Sequence, residues 1–401
     1  MTPQVKQRIE QIRRGEVPEG YKRTKAGVVP VEWEEVRIGD VLTQRKTLQC
    51  VSEDAPLLSF TIEEGVIDPA DKKSNKRDFL IKDMATKKFS LTEVGDIIYN
   101  PANLKFGAIH RNNLRRGVVS PIYGIFYGEQ DSVFMGYLLH NQRFIDYAKV
   151  YTEGTVEKLK TLKADTFLKL KITLPSLPEQ KKIAEILSAQ DKIIALKEKL
   201  IEEKKRQKKH LMQQILNNKA VKSKFSSHWD TVELNDVFDY VQPTKYLVES
   251  TDYSNAYTTP VLTAGKSFVL GYTNENNGIY DQVPVVIFDD FTTDSKYVDF
   301  PFKAKSSAMK ILKAKTSYDI KFAFELLQNI NYIVGGHERH WISIFSQLTV
   351  DVPPYEAQLK ISKIIQNTDK EIELLEKDLI QEKQKKKALM HLLLTGIVRV
   401  N

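Results

Sequence analysis

Cysteine is nearly absent: Cys50 is the only one in 401 residues. One thiol forms no intrachain disulfide and builds no cysteine-rich zinc finger. Nothing near Cys50 in sequence recommends it as a nucleophile, and it reads as a small buried or neutral residue. No apolar run approaches the roughly 18 residues of a membrane span. The start, MTPQVKQRIE, lacks the apolar core of a secretory signal, so a cytoplasmic protein without membrane contact is expected. A GxxxxGK phosphate loop and a GxGxxG dinucleotide loop are also missing. Charge is not one-sided: 60 basic against 52 acidic residues leave +8, which permits nucleic-acid binding without requiring it. Hydrophobic residues at 41% and charged ones at 28% describe a folded chain of more than one domain.

What is present is a repeat. Leu174–Leu216 and Val352–Leu394 match without a gap at an offset of 178. The identical pairs include Pro175/Pro353, Gln180/Gln358, Ile183/Ile361, Asp191/Asp369, Leu196/Leu374 and Met212/Met390. A second match precedes each of these: Trp33–Val41 (WEEVRIGDV) resembles Trp229–Val237 (WDTVELNDV) at an offset of 196. The order is head, rod, head, rod. The heads differ in length, with 142 positions from Trp33 to Pro175 and 124 from Trp229 to Pro353. Constant rods with unlike heads suggest two modules doing one kind of job on different targets.

Each rod follows a proline turn and then carries neither Gly nor Pro, which predicts helices over Gln180–Leu216 and Gln358–Leu394. Apolar residues recur at three and four spacings: Ile183, Leu187, Ile194, Ile201, Leu211 and Ile215, then Ile361, Ile365, Ile372, Leu375, Leu379, Leu389 and Leu393. That is a coiled-coil seam. Its polar positions (Gln190, Lys197, Lys204, Lys208; Thr368, Glu382, Lys386) weaken the pair and help fix its register. The first rod delivers the chain to the second head. A second rod that shares the seam must therefore run back. The expectation is an α+β protein: two globular α/β heads separated by two long antiparallel coiled-coil helices in a pseudo-two-fold arrangement. The competing reading has each rod packing on its own head as ordinary core. The expected divisions are residues 1–173, including a short N-terminal helix, a central helix 174–218, a second head 219–350 and a final helix 351–401.

Inside the heads, Gly95–Pro101, Gly117–Gly128 and Gln282–Phe291 read as strands, and Ser132–Tyr151 and Tyr318–Ile330 as helices. Basic stretches free of acids occur in both. Asn100–Ser120 holds Lys105, Arg111, Arg115 and Arg116; Phe302–Lys315 holds Lys303, Lys305, Lys310, Lys313 and Lys315. Such stretches suit phosphate contacts with base-edge readout, and equally a solvated charged face. Their occurrence in both heads favours function.

Three segments offer chemistry that the reading declines. DVPPYE (Asp351–Glu356) resembles the Pro-Pro-Tyr motif of amino methyltransferases. Val352 stands where that motif needs a polar residue, so the segment reads as a helix-entry turn. GGHERHW (Gly335–Trp341) lacks the HExxH spacing of a metal site and reads as a recognition loop. Asp289, Asp290 and Asp294 are nuclease-like carboxylates in a segment as well suited to polar recognition through Thr292 and Thr293. No metal ligands are expected.

These features together resemble the specificity subunits of type I restriction-modification systems. The likeness rests on Gly20–Val41, on LPSLPEQKKIAEILSAQD (Leu174–Asp191), on Thr259–Leu312, which resembles one class of second recognition domain, and on LMHLLLTGIVRV (Leu389–Val400). The second helix entry departs from the family form, with PPYEAQ for PLPEQ. The resemblance implies a chain with no catalysis and no cofactor of its own. Each head would read half of a bipartite double-stranded DNA site. The rods would set the spacer and dock two methyltransferase subunits that bring S-adenosylmethionine, and motor-nuclease restriction subunits would join for cleavage. The expected DNA contacts are Lys105, Arg111, Arg115, Arg116, Tyr151, Thr152, Gly154 and Thr155 in the first head. In the second they are Thr263, Lys266, Tyr272, Thr292, Thr293, Lys296, Ser306, Ser307, Lys310, His337, Arg339 and His340. The rival readings are a stand-alone DNA nuclease and a coiled-coil scaffold with protein-binding heads.

Overall fold

A computed structural model describes residues 2–24, 27–72, 86–153, 160–265, 267–330, 332 and 340–400. The chain forms two compact units: Met1–Leu196 with Leu379–Asn401, and Lys197–Asp378. The expected rods are helices Leu177–Asn217 and Tyr355–Leu394, of 41 and 40 residues. Each begins within three residues of the predicted start, because Leu177-Pro178 and Tyr355 fit the open first turn. At 1.5 Å per residue each is about 60 Å long.

The heads are built on one plan. In the first unit, strand Glu34–Arg37 pairs antiparallel with Lys171–Leu174, with Arg37 opposite Lys171 and Glu34 opposite Leu174. In the second, Asp230–Glu233 pairs the same way with Thr349–Val352. Each ribbon joins the strand that follows the repeated Trp to the last strand before the rod. A one-turn helix follows each first strand, Ile38–Val41 and Leu234–Val237. The Asp40 and Asp236 carboxylates accept the N–H of Arg37 (2.9 Å) and Glu233 (3.1 Å), three residues earlier. The repeated Trp-containing opening is thus a strand and a capped turn.

Beyond the ribbon, each unit carries a four-stranded and a three-stranded sheet. The first unit's four-stranded sheet runs Ile109–Arg111, Ile97–Tyr99, Gly124–Tyr127, Thr43–Gln44. The second unit's runs Phe238–Val241, Met309–Ala314, Val285–Asp289, Ser295–Val298. The helical stretch read over Ser132–Tyr151 is two helices, Ser132–His140 and Gln142–Lys149. Asn141 breaks it with an extended backbone and caps the second helix by accepting Arg143 N–H at 2.9 Å.

The repeated glutamine closes each head onto its rod. Gln180 donates to the Pro175 carbonyl at 2.9 Å, and its side-chain oxygen accepts Asp131 N–H at 3.2 Å. Gln358 repeats this with Pro353 (2.9 Å) and Asp319 (2.9 Å). Asp131 and Asp319 are themselves the caps of helices Ser132–His140 and Ile320–Gln328. One side chain therefore joins proline turn, rod and head helix in both units.

The rods pair antiparallel within each unit. In the first, Gln190 donates to Glu382 (2.6 Å) and Lys386 pairs with Asp191 (2.6 Å). In the second, Lys197 pairs with Asp378, Lys204 with Glu371 (2.7 Å) and Lys208 with Asp369 (2.6 Å). In the second unit, partner numbers fall from 378 to 371 to 369 as the first rod runs from 197 to 204 to 208. The polar seam positions are thus interhelical pairs that specify register. Asp191–Lys386 and Lys208–Asp369 are the same pair at the repeat offset. The expected seam residues lie inward: Ile183, Leu187, Ile201, Ile215, Ile361, Ile365, Ile372 and Leu393 are buried. Ile194, Leu211, Leu375, Leu379 and Leu389 are half-buried. The competing reading holds at the rod ends. Ile183, Leu187 and Leu393 join the first head's core, and Ile215, Ile361 and Ile365 join the second's.

Candidate nucleic-acid interface

In the second unit, strand pairing gathers several of the expected recognition residues at one sheet end. Asp289 lies opposite Met309, and Asp290 N–H donates to Ala308 at 3.0 Å. The turn Phe291–Asp294 and the turn Ser306–Ala308 are therefore neighbours. Thr292, Ser306 and Ser307 are exposed there, beside the 38% exposed Phe291. The Asp289 carboxylate accepts Phe291 and Thr292 N–H, both at 2.9 Å. This bonding holds Thr293 at φ 62°, a left-handed position that a β-branched residue adopts only under constraint. Hydroxyls and an aromatic ring on a rigid turn can donate to and accept from base edges. The structure assigns Asp289 to shaping that turn.

Beneath the turn lies a buried charged cluster. Asp290 (1% exposed) accepts His340 N–H through its carbonyl (2.9 Å) and Trp341 N–H through Oδ1 (2.8 Å). Lys310, 0% exposed, stands 3.4 Å from Asp290 Oδ2. His340 is 2% exposed, and among the described residues neither ring nitrogen has a hydrogen-bond partner. Lys310 and His340 are therefore interior residues, contrary to the expectation of surface contacts. Both faces of strand Met309–Ala314 are covered, Met309 and Ile311 by one core cluster and Leu312 by another, so Lys310, on the Leu312 face, is buried.

The other lysines of Phe302–Lys315 are also engaged. Lys303, 1% exposed, pairs with Glu275 at 2.5 Å and donates to the Asn277 carbonyl. Lys313 donates to Gln282 (3.1 Å), and Lys315 to the Asn235 carbonyl (2.6 Å). Lys305 lies over the Tyr253 ring. This is a correction: although the stretch holds no acid, Lys303, Lys310 and Lys315 meet Glu275, Asp290 and Asp239 from elsewhere in the chain. On the three-stranded sheet, Thr263 caps a hairpin by accepting Gly265 N–H, and Tyr272 is 36% exposed. Lys296 is half-buried in the edge strand. Lys266, His337 and Arg339 lie outside the described residues.

The first head repeats the lesson. Arg115 pairs with Asp68 (2.5 Å), and Arg116 with Glu93 and Asp54. Arg111 donates to Ser132 (3.0 Å) and to Asn113, and burial lowers its pKa. Lys105 lies over the Phe106 ring, which is 63% exposed. Tyr151 is exposed, and Thr152 donates to the Lys149 carbonyl at 2.8 Å. Gly154 and Thr155 lie outside the described residues. The structure does not bring Lys105 together with Arg111, Arg115 and Arg116 as one free basic face.

Two features escaped the sequence reading. Lys208 is clasped by Asp369 and by Glu325 of the head helix, both at 2.6 Å. Burial pushes the Glu325 carboxyl above its usual range, against the pull of Lys208. Burial alone would lower the Lys208 ammonium, but Glu325 and Asp369 together hold it up. At the matching helix position in the first unit, Tyr137 donates to Asp191 at 2.6 Å. The second feature is a pair of matched apolar patches on the rods' outer faces. Ile186 and Leu196 are 36% and 57% exposed, and their repeat partners Ile364 and Leu374 are 41% and 58% exposed. The seam analysis passed over them because they fall outside its spacing.

Among the described residues, no group of three or more His, Cys, Asp or Glu is placed to hold a metal ion. No described helix is long and apolar enough to cross a membrane.

A family model for the type I restriction modification DNA specificity domain matches residues 30–206 and again 226–383. The chain is 47% identical over 150 residues to the EcoR124I/EcoR124II specificity subunit of Escherichia coli, spanning 34% of this chain and 36% of that one. It is 25% identical over 433 residues to the MjaX specificity subunit, described as putative, of Methanocaldococcus jannaschii, spanning 95% and 97%. Among solved structures, the specificity subunit from M. genitalium superposes with TM-score 0.56 at 16% identity, covering 90% of this chain and 96% of that chain. A chain from a study of type I system assembly and conformational transition gives TM-score 0.55 at 12% identity, covering 92% and 99%.

Proposed function

The chain belongs to the type I restriction-modification DNA specificity family, and from that premise we propose that it is the DNA-reading subunit of such a system. Each head reads one half of a bipartite site, and the rods set the unspecified spacer between the halves. The observation that carries this is the duplicated frame. Ribbon, capped turn, glutamine clamp and rod pair are the same in both units, while the recognition loops they support differ. In the second head the reading surface is the turn pair carrying Phe291, Thr292, Thr293, Ser306 and Ser307, with Thr263 and Tyr272 on the adjoining sheet. In the first head it includes Lys105, Tyr151 and Thr152. Arg115 and Arg116 serve there by exchanging their carboxylate partners for phosphates.

The chain transfers no methyl group itself. Methyltransferase subunits bring S-adenosylmethionine, and motor-nuclease subunits join for restriction. The matched patches Ile186/Leu196 and Ile364/Leu374 support two copies of one methyltransferase, since the same apolar pair is offered twice.

The test is a methylation map. The chain is expressed with its methyltransferase partner in a host lacking adenine methylation, and modified bases are located by sequencing. Two short sequences at a constant gap, modified only when both proteins are present, are expected. Modification independent of this chain would overturn the reading.

A further inference from the structure

The first unit holds a cavity of about 1110 Å³ that the reading above leaves unused. Its walls come from the end of strand Ile109–Arg111, from the helices Ser132–His140 and Gln142–Lys149, and from both rods. The volume is that of a pocket for a small organic ligand, typically about 300–1,000 Å³.

The cavity's charge is unbalanced. Its cations include Arg111, Arg143, Lys386 and Lys387, and its acids are Glu64, Asp146 and Asp191. Asp191 already accepts the Tyr137 hydroxyl and the Lys386 ammonium, each at 2.6 Å. Asp146 accepts the Gln142 amide at 2.8 Å. Among the described residues, no carboxylate pairs with Arg143. Its guanidinium lies against Gly27, where a Cβ would stand 1.5 Å from the nearer terminal nitrogen. Gly27 has φ +108°, a left-handed position that favours glycine.

Of the neighbouring histidines, His391 feels the Arg143 charge. Burial lowers the His391 pKa, and Arg143 and Arg13 lower it further. His110 is lowered to about 4 by burial and by His140, whose ring centroid is 4.3 Å away. The Arg143 side chain is exposed where it lines the cavity, so its guanidinium is open to an anion from solution. Its planar fork matches two oxygens of a phosphate, and Lys387, on the second rod, adds an exposed point charge to the cavity lining.

We propose that this cavity is a phosphate-binding site seated on Arg143 and Lys387, taking either a free polyphosphate of the nucleoside triphosphate class or the phosphodiester backbone of bound DNA. The second source rests on the DNA reading above; the first does not.

The experiment titrates the full chain with inorganic tripolyphosphate and, separately, with a mixed-sequence DNA duplex at several salt concentrations. The proteins are wild type, Arg143→Gln, Lys387→Gln and the double variant, with circular dichroism as the folding control. Lys387 is exposed, so its variant remains informative if Arg143→Gln unfolds. Tripolyphosphate should bind the wild type, and the double variant should weaken it roughly tenfold or more. If the duplex salt slope is unchanged, the site takes the free ligand. If tripolyphosphate competes with the duplex and the slope falls by about 0.9 per lost phosphate contact, it takes the backbone. Tripolyphosphate binding without any duplex binding supports the site and overturns the DNA reading instead. No tripolyphosphate binding, with an unchanged slope in folded variants, overturns the site.

Discussion

Replacing Asp290 by Ala should remove the carboxylate that holds Trp341 and faces Lys310. Its Oδ1 accepts Trp341 N–H at 2.8 Å and its Oδ2 stands 3.4 Å from the Lys310 ammonium, with both charged groups at most 1% exposed, while the backbone bonds to Ala308 and His340 remain. The substitution leaves the Lys310 ammonium buried without a counter-charge, which costs about 3–5 kcal/mol. It also orphans the Trp341 N–H, a loss of about 1–3 kcal/mol on its own. The two losses share one network and do not simply add. Against a total stability of about 5–15 kcal/mol, either is large. The double variant Asp290→Ala/Lys310→Met removes both charges and keeps apolar volume, so it should recover about 2 kcal/mol relative to Asp290→Ala. Hydrogen exchange read by mass spectrometry over residues 309–314 and 320–328 reports this unit's stability directly. A double variant no more stable than Asp290→Ala would refute the claim that the Lys310 charge dominates the cost.

His110 has a folded pKa of about 4, lowered from 6.5 by burial and by His140. Its contribution is therefore complete above pH 6.5 and is lost as pH falls towards 4; by linkage it is at most about 3 kcal/mol, less where water reaches the ring. First-unit stability between pH 7 and 5 should fall less steeply in His110→Gln, as checked by urea unfolding at each pH. Gln180→Ala and Gln358→Ala each orphan buried groups at a proline turn and a helix cap and should cost about 1–3 kcal/mol, each in its own unit, as read by hydrogen exchange. Thr293→Gly should relieve about 1 kcal/mol of left-handed strain and relax base preference in the second half-site of the methylation map. Inserting four residues after Lys204 lengthens the first rod by about 6 Å; the map should show a shifted spacer or lost modification, and an unchanged site would remove the rods as the ruler.

The parts legible in the sequence are those set by local or periodic rules. The rods show themselves by an unbroken run free of Gly and Pro, and their pairing by apolar spacing with polar interruptions. The Trp33 and Trp229 openings announce a shared element because their capped turns are made within nine residues. The ribbon partners Lys171–Leu174 and Thr349–Val352 stayed hidden, since a four-residue strand gets its identity from a partner more than a hundred residues away. The basic stretches misled for the same reason. Arg115 meets Asp68 and Lys303 meets Glu275 only once strands are in register. Lys310 is buried because its strand is packed on both faces, by the clusters of Leu312 and of Met309 and Ile311. By itself, then, the sequence determined the duplicated frame, the two long helices and their antiparallel sense, all properties of helical period and chain order. Tertiary structure alone decided which charges are spent on internal pairs and which polar groups reach the surface, because electrostatic partnership depends on distance in space.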